Sequence, residues 1–213
     1  MAIKRCRTCF KRFLLHLRYH KTKIAMFNKN IPQVASLLIS EPFMLDPNFQ
    51  RAVVLLCEHD AEDGTVGYVL NQSASIQLKD VMDDFPEAEF PLFFGGPVAQ
   101  ESIHFIHKCY DKLNSGIGLG NGIYWGGNFE SLQILIRNGD ITKDEVKFFI
   151  GYSGWSPGQL DSELKENAWV ISNHYNPDIT FGNDGESLWK EAIVSLGPKY
   201  AHVANFPQNP MWN

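Results

Sequence analysis

Cysteine is scarce in this 213-residue chain, and the four present, Cys6, Cys9, Cys57 and Cys109, lack the dense spacing of a secreted disulfide scaffold. Reduced thiols in a cytosol fit that pattern. Long apolar runs are missing too: none approaches the roughly 18 residues of a membrane-spanning helix, and Phe10 to Leu17 is interrupted by Lys11, Arg12 and His16. Acid is absent from residues 1–25, which carry eight Lys or Arg, whereas residues 26–213 carry eleven basic against twenty-four acidic side chains. An acidic body repels a phosphate backbone, so direct nucleic-acid binding is expected only of the leader. That leader has no continuous apolar stretch and no small-residue cleavage site, which argues against a secretory signal; its lack of serine argues against a transit peptide. The break in composition divides the chain into a basic, non-native N-terminal extension, 1–25, and a domain, 26–213, with Met26 expected as the functional start.

What is present suits one globular domain with a real core: 44% of residues are hydrophobic and 20% charged. Apolar, β-branched stretches predict strands at 35–40, 51–58, 65–71, 91–94, 102–107, 123–125, 146–150 and 168–172, with 51–58 and 65–71 joined as a hairpin. Helices are predicted at 78–85, stopped by Pro86; after Asn128, closed by Gly139; after Pro157; and at 186–196, ended by Gly197-Pro198. Early hairpins followed by helices between strands describe an α+β fold with a mixed sheet.

The densest motif is Gly151–Leu160, GYSGWSPGQL, read as a fixed strand-to-helix corner whose Pro157 opens the helix. Gly-Tyr-Ser-Gly resembles a nucleophile elbow at Ser153, but Trp155 stands where G-x-S-x-G requires glycine, so the serine is expected to satisfy local backbone. Alternation places Cys57 and His59 on one strand face, where an imidazole lowers a thiol pKa; the apolar run before Cys57 favours an inert, buried thiol instead. Cys6, Cys9, His16 and His20 have zinc-ligand types, yet only six residues separate the two pairs, too few for a finger. The acids Asp80, Asp83, Asp84, Glu87 and Glu89 show no cation-loop spacing, and His104 and His107 fall on opposite strand faces. No metal and no cofactor is therefore assigned. Trp125, Trp155, Trp169 and Trp189 are expected to anchor the core with their indole nitrogens on backbone.

Four segments taken in order, LLISEPFMLDPNFQRAVVLLCEHD, GTVGYVLNQ, GGPV at 95–98 and FFIGYSGWSPGQLDSEL, resemble the YqgE/AlgH family of uncharacterised bacterial proteins over about residues 35–196. The resemblance implies a single compact cytoplasmic domain with a mixed, partly bifurcated sheet flanked by helices. Members are often labelled transcriptional regulators, but no catalytic residue or cofactor transfers. The expectation is a non-catalytic protein, an indirect regulator that binds a protein partner or small ligand in a groove of Gly95, Gly96, Ser153, Gly154 and Trp155. It needs neither a membrane nor direct contact between its acidic body and nucleic acid. The alternative is a hydrolase using Ser153 or Cys57 as nucleophile.

Overall fold

Among the described residues, short apolar runs bounded by turn residues pair into one ten-stranded sheet, because each run has two faces to bury and a backbone to satisfy. The structure, a computed structural model, describes residues 30–82, 89–182 and 185–207. The basic leader, its Cys/His quartet and the break at Met26 lie outside the described residues, as do Asp83, Asp84 and Glu87. The strands are β1 Leu37–Ser40, β2 Val53–Asp60, β3 Gly64–Val69, β4 Ser73–Gln77, β5 Pro91–Phe94, β6 Val98–His107, β7 Ile117–Gly120, β8 Ile123–Trp125, β9 Val146–Trp155 and β10 Trp169–Ser172. Described helices are α1 Tyr110–Leu113, α2 Phe129–Arg137, α3 Gln159–Lys165 and α4 Gly185–Ser195. The fold is α+β.

The main path runs β10-β1-β2-β3-β9-β6-β8-β7, with β4 and β5 to one side. Its pairings are antiparallel except that β5 lies parallel to β9. Along one edge β9 pairs first with β5, at Phe148–Ile150, and then with β3, at Ser153–Trp155; its other edge carries β6. One face of the sheet, with Leu37, Val53, Leu55, Tyr68 and Phe149, is covered by Leu188, Trp189, Ala192 and Ile193 of α4. The opposite face is in two parts: Leu92, Phe105 and Phe148 beneath Leu132 of α2, and Leu38, Val54 and Trp155 beneath Leu160 of α3.

Gly151 joins these two parts. Phe149 and Tyr152 both pack toward the α4 side, whereas Phe148 and Trp155 face away from it, so the alternation of β9 slips at Gly151. Its φ is +63°, and a Cβ there would lie 2.6 Å from the Val98 carbonyl oxygen. Only glycine makes that slip without strain.

Other local signals act as the sequence suggested. Asn128 Oδ1 accepts from the Ser131 amide at 2.8 Å and starts α2, and Gly139 in left-handed geometry follows its end. Arg51 ties α4 down: its guanidinium lies over the Trp189 ring at 4.7 Å, pairs with Glu186, and donates to the Phe206 carbonyl at 2.5 Å.

Several expectations are corrected. The predicted helix at 78–85 is a single 3-10 turn, Leu78–Asp80, within the described residues. Residues 151–155 continue β9 instead of turning, because their backbone finds partners in both β3 and β6; the corner is only Ser156-Pro157-Gly158. Pro157 precedes α3 by two residues, and Gly158, φ +75°, stands at its N-cap. The glycine-rich stretch 116–127 forms a hairpin of two strands, β7 and β8, where one was expected.

Candidate functional site

The residues expected to form a groove meet where β9 passes from β5 to β3. Gly95 follows β5, and its carbonyl accepts from the Val69 amide and from Ser153 Oγ, both at 2.9 Å. Its own amide donates to the Ile150 carbonyl at 2.9 Å. A Cβ on Gly95 would sit 2.3 Å from the Gly151 oxygen, and one on Gly96 would sit 2.4 Å from Ser153 Oγ and the Tyr152 oxygen. Gly95, Gly96 and Ser153 are thus brought together as close packing with no space between them. Gly154 lies exposed beside them, and Trp155 turns into the core beneath α3. Ser153 is 0% exposed, and its hydroxyl holds one carbonyl at the junction. That bond is to backbone, as expected, but to a carbonyl 58 positions away and not to a local one.

The second half of the motif is held by a residue that sequence reasoning did not single out. Glu163 Oε2 accepts the indole N–H of Trp155 at 2.9 Å and that of Trp169 at 2.7 Å, and Gln159 Nε2 donates to Oε1 at 3.0 Å. The two indoles stand edge to face, 5.9 Å between centroids, with Phe49 against both. This carboxylate locks α3 to β9 and β10. The expectation that the indoles bond to backbone holds for Trp189, which donates to the Ser40 carbonyl at 3.0 Å; Trp125 instead donates to Tyr68 Oη at 3.0 Å. Glu163 lies eight positions after Trp155, a spacing whose meaning appears only once the corner is folded.

The thiols and imidazoles stand apart from Ser153's bond. A bulge between Leu56 and Glu58 inserts Cys57 into β2, so His59 pairs opposite Thr65 while Cys57 faces the α4 side. The shared face expected for Cys57 and His59 is therefore lost. His59 Nδ1 lies 2.7 Å from Thr65 Oγ1, and burial pushes the Cys57 thiol pKa up. Cys109 Sγ lies 3.6 Å from His107 Nδ1; burial, followed by the Glu145 charge, pushes that thiol to about 11. Both thiols are thus neutral near pH 7. Ser102 Oγ donates to the Ala99 carbonyl at 2.7 Å, which leaves His104 Nε2, at 2.8 Å, as donor into the same oxygen. A serine already donating elsewhere is not activated by that imidazole. Among the described residues, no three His, Cys, Asp or Glu side chains gather as a metal site, and no helix is long and apolar enough to cross a membrane.

A cleft of about 360 Å³ opens at the N-terminal ends of β5 and β9, away from the glycine cluster at the far end of β5. It is lined by Pro91, Phe93, Lys143, Asp144, Lys147 and Phe181, among others. Lys147 is only 5% exposed; its ammonium lies 4.2 Å from the Phe93 ring centroid and donates to the Thr180 carbonyl at 3.3 Å. Lys108 places its ammonium 5.2 Å from the Phe181 ring centroid. The size falls within the range of small-molecule sites.

These features define an α+β sheet protein in which one long strand divides an edge between two neighbours, with a serine and two glycines at the division and a tryptophan–glutamate clamp beyond it. Residues 37–201 match the AlgH-like family, and the chain belongs to that family. The UPF0301 protein of Chlorobaculum tepidum is 37% identical over 177 residues, spanning 83% of this chain and 94% of its own length. That of Cytophaga hutchinsonii is 39% identical over 179 residues, spanning 83% and 97%. The solution structure of AlgH from Pseudomonas aeruginosa superposes with a TM-score of 0.64 at 27% identity, covering 84% of this chain and 97% of that one. A protein of Corynebacterium diphtheriae shares the fold, with a TM-score of 0.67 at 22% identity, covering 85% and 98%.

Proposed function

We propose that the chain is a non-catalytic, cytoplasmic binding protein, an indirect regulator whose small ligand occupies the Phe93–Lys147–Phe181 cleft and not the Ser153 junction. One contrast carries this reading. The hydroxyl of Ser153 and the thiol of Cys57 are enclosed in the core, while the cleft opens to solvent between the exposed Pro91, Lys143 and Asp144 and the half-buried Phe181. A nucleophile needs access and a base, and Ser153 Oγ spends its proton on the Gly95 carbonyl. The acidic body supports regulation through a ligand or protein, because a phosphate backbone is repelled by it.

The test is labelling of the native protein, and of Ser153→Ala and Cys57→Ala separately, with a fluorophosphonate and with iodoacetamide. No labelling of either residue is expected while the protein is folded. Labelling that disappears with one substitution and persists with the other overturns the non-catalytic reading and names the nucleophile.

A further inference from the structure

We infer that Asn121 is a site of spontaneous deamidation in the folded protein, its side chain closing on the Gly122 amide to a cyclic imide that water opens to aspartate and isoaspartate. The site is independent of the cleft.

Asn-Gly is the dipeptide most open to this chemistry, because glycine brings no side chain to crowd its own attacking nitrogen. The chain has two, Asn121-Gly122 and Asn138-Gly139. Tertiary structure sets them apart. Asn121 and Gly122 form the exposed two-residue loop between β7 and β8, with φ of +54° and +75°, the left-handed pair that a tight hairpin requires. A Cβ on Gly122 would meet nothing within 4 Å, and its amide donates to no carbonyl among the described residues. The Gly139 amide is instead engaged, donating to the Ile136 carbonyl at 3.0 Å at the end of α2. Around Asn121 the ladder is also short: β7 ends the sheet, paired with β8, and β8 meets β6 only at Ile106 and His107. A turn at the tip of such a ladder opens locally at low cost, which lets the Asn121 side chain reach the attacking nitrogen.

The Gly122 nitrogen gives its proton to solvent base and bonds to Asn121 Cγ, and the side-chain nitrogen leaves as ammonia after taking a proton from water. Water then opens the ring. Attack at Cγ gives aspartate on the original main chain; attack at the main-chain carbonyl gives isoaspartate, whose main chain runs through Cβ and Cγ and is one carbon longer. The sum is one water consumed and one ammonia released, with no change of oxidation state. Both products put a carboxylate into residues 113–129, which carry no Asp, Glu, Lys, Arg or His. Isoaspartate also lengthens a loop whose length sets the register, so the Gly120–Ile123 pairing is lost.

The test is peptide mapping by mass spectrometry of the full chain, folded and incubated at mildly alkaline pH in heavy-oxygen water, beside the same chain unfolded in guanidinium, with incubation continued until the unfolded chain has converted. In the folded protein Asn121 is expected to convert about tenfold faster than Asn138, the factor set by the hydrogen bond that the Gly139 amide must break first. Unfolded, the two sites should react at similar rates. Each event at Asn121 should leave one heavy oxygen in its peptide and yield two acidic isomers separable by chromatography. Asn121→Gly, which keeps a left-handed loop, should take up no label there; label that persists overturns the assignment. Folded Asn138 converting as fast as Asn121 overturns it too, and so does a folded Asn121 that keeps its amide while the unfolded chain converts.

Discussion

Replacing Glu163 with alanine should destabilise the protein more than any ordinary surface change, because one carboxylate oxygen holds two buried indoles. Trp155 is 5% exposed and Trp169 1%, so their N–H groups have little access to water once the acceptor is gone. A buried donor left unsatisfied costs about 1–3 kcal/mol, which puts two of them at about 2–6 kcal/mol. Glu163 itself is only half-buried, and water entering its place lowers the expected loss to about 2–4 kcal/mol. Alanine's better helix propensity within α3 returns a few tenths of a kcal/mol. For a domain of this size each kcal/mol moves the midpoint by about 2–4 °C, so Glu163→Ala should melt about 5–15 °C below the wild type. Glu163→Gln keeps an acceptor but gives up the charge; since charge-assisted bonds are roughly twice as strong as neutral ones, it should lose about 1–2 kcal/mol. The assay is urea unfolding followed by tryptophan fluorescence, with thermal melts alongside. Combining Glu163→Ala with Trp169→Phe should cost less than the sum of the single changes, since both remove the same bond. A Glu163→Ala protein that melts within about 1 °C of the wild type refutes the clamp, because that change lies within the scatter of ordinary surface substitutions.

Gly96→Ala should fail to reach the native fold or lose several kcal/mol in urea unfolding, since its Cβ would lie 2.4 Å from Ser153 Oγ and the Tyr152 oxygen in left-handed backbone; a near-native midpoint refutes the tight junction. Ser153→Ala should cost only about 1 kcal/mol, one neutral hydrogen bond, because the Gly95 carbonyl keeps its bond from the Val69 amide; a loss of binding or activity without a change in stability refutes its structural role. The pKa values of His104 and His107 are lowered by burial, against which the Gly126 and Ser115 carbonyls act at His107. The unfolded chain takes up those protons near pH 6.5 and the folded one only at lower pH. Stability should therefore be full above about pH 6.5 and fall as the pH drops below it, and His107→Gln, which does not titrate, should flatten part of that slope in melts between about pH 7 and 5. An unchanged slope refutes the assignment.

Much of the fold is legible in short stretches of sequence, and the misses share a cause. Asn128, Gly139 and Gly197 mark helix ends through contacts within one or two turns, and Leu188, Trp189, Ala192 and Ile193 announce the buried face of α4 by spacing alone. The segment 151–155 has as many glycines as a turn and reads as one, yet it is strand because β3 and β6 lie on either side of it. The Cys57 bulge and the β7–β8 hairpin are likewise decided by the register of a partner strand. At the candidate site, the backbone bond expected of Ser153 is present, but its partner, the Gly95 carbonyl, lies 58 positions away and was not legible. The cleft was not legible, since Phe93, Lys147 and Phe181 come from three separated segments, and a lysine within a strand pattern gives no sign that its ammonium lies over a phenylalanine ring.

By itself, then, the sequence determined most of the strands, the helices α2, α3 and α4, the α+β class, the AlgH-like family and the burial of Cys57, because propensity, capping and apolar runs are local properties of a chain. Only the tertiary structure decided that β9 divides an edge between β5 and β3, that one glutamate serves two indoles, and that two phenylalanines and two lysines frame a cleft. Each of those depends on residues brought together across tens of positions, by pairing and burial that no local pattern encodes.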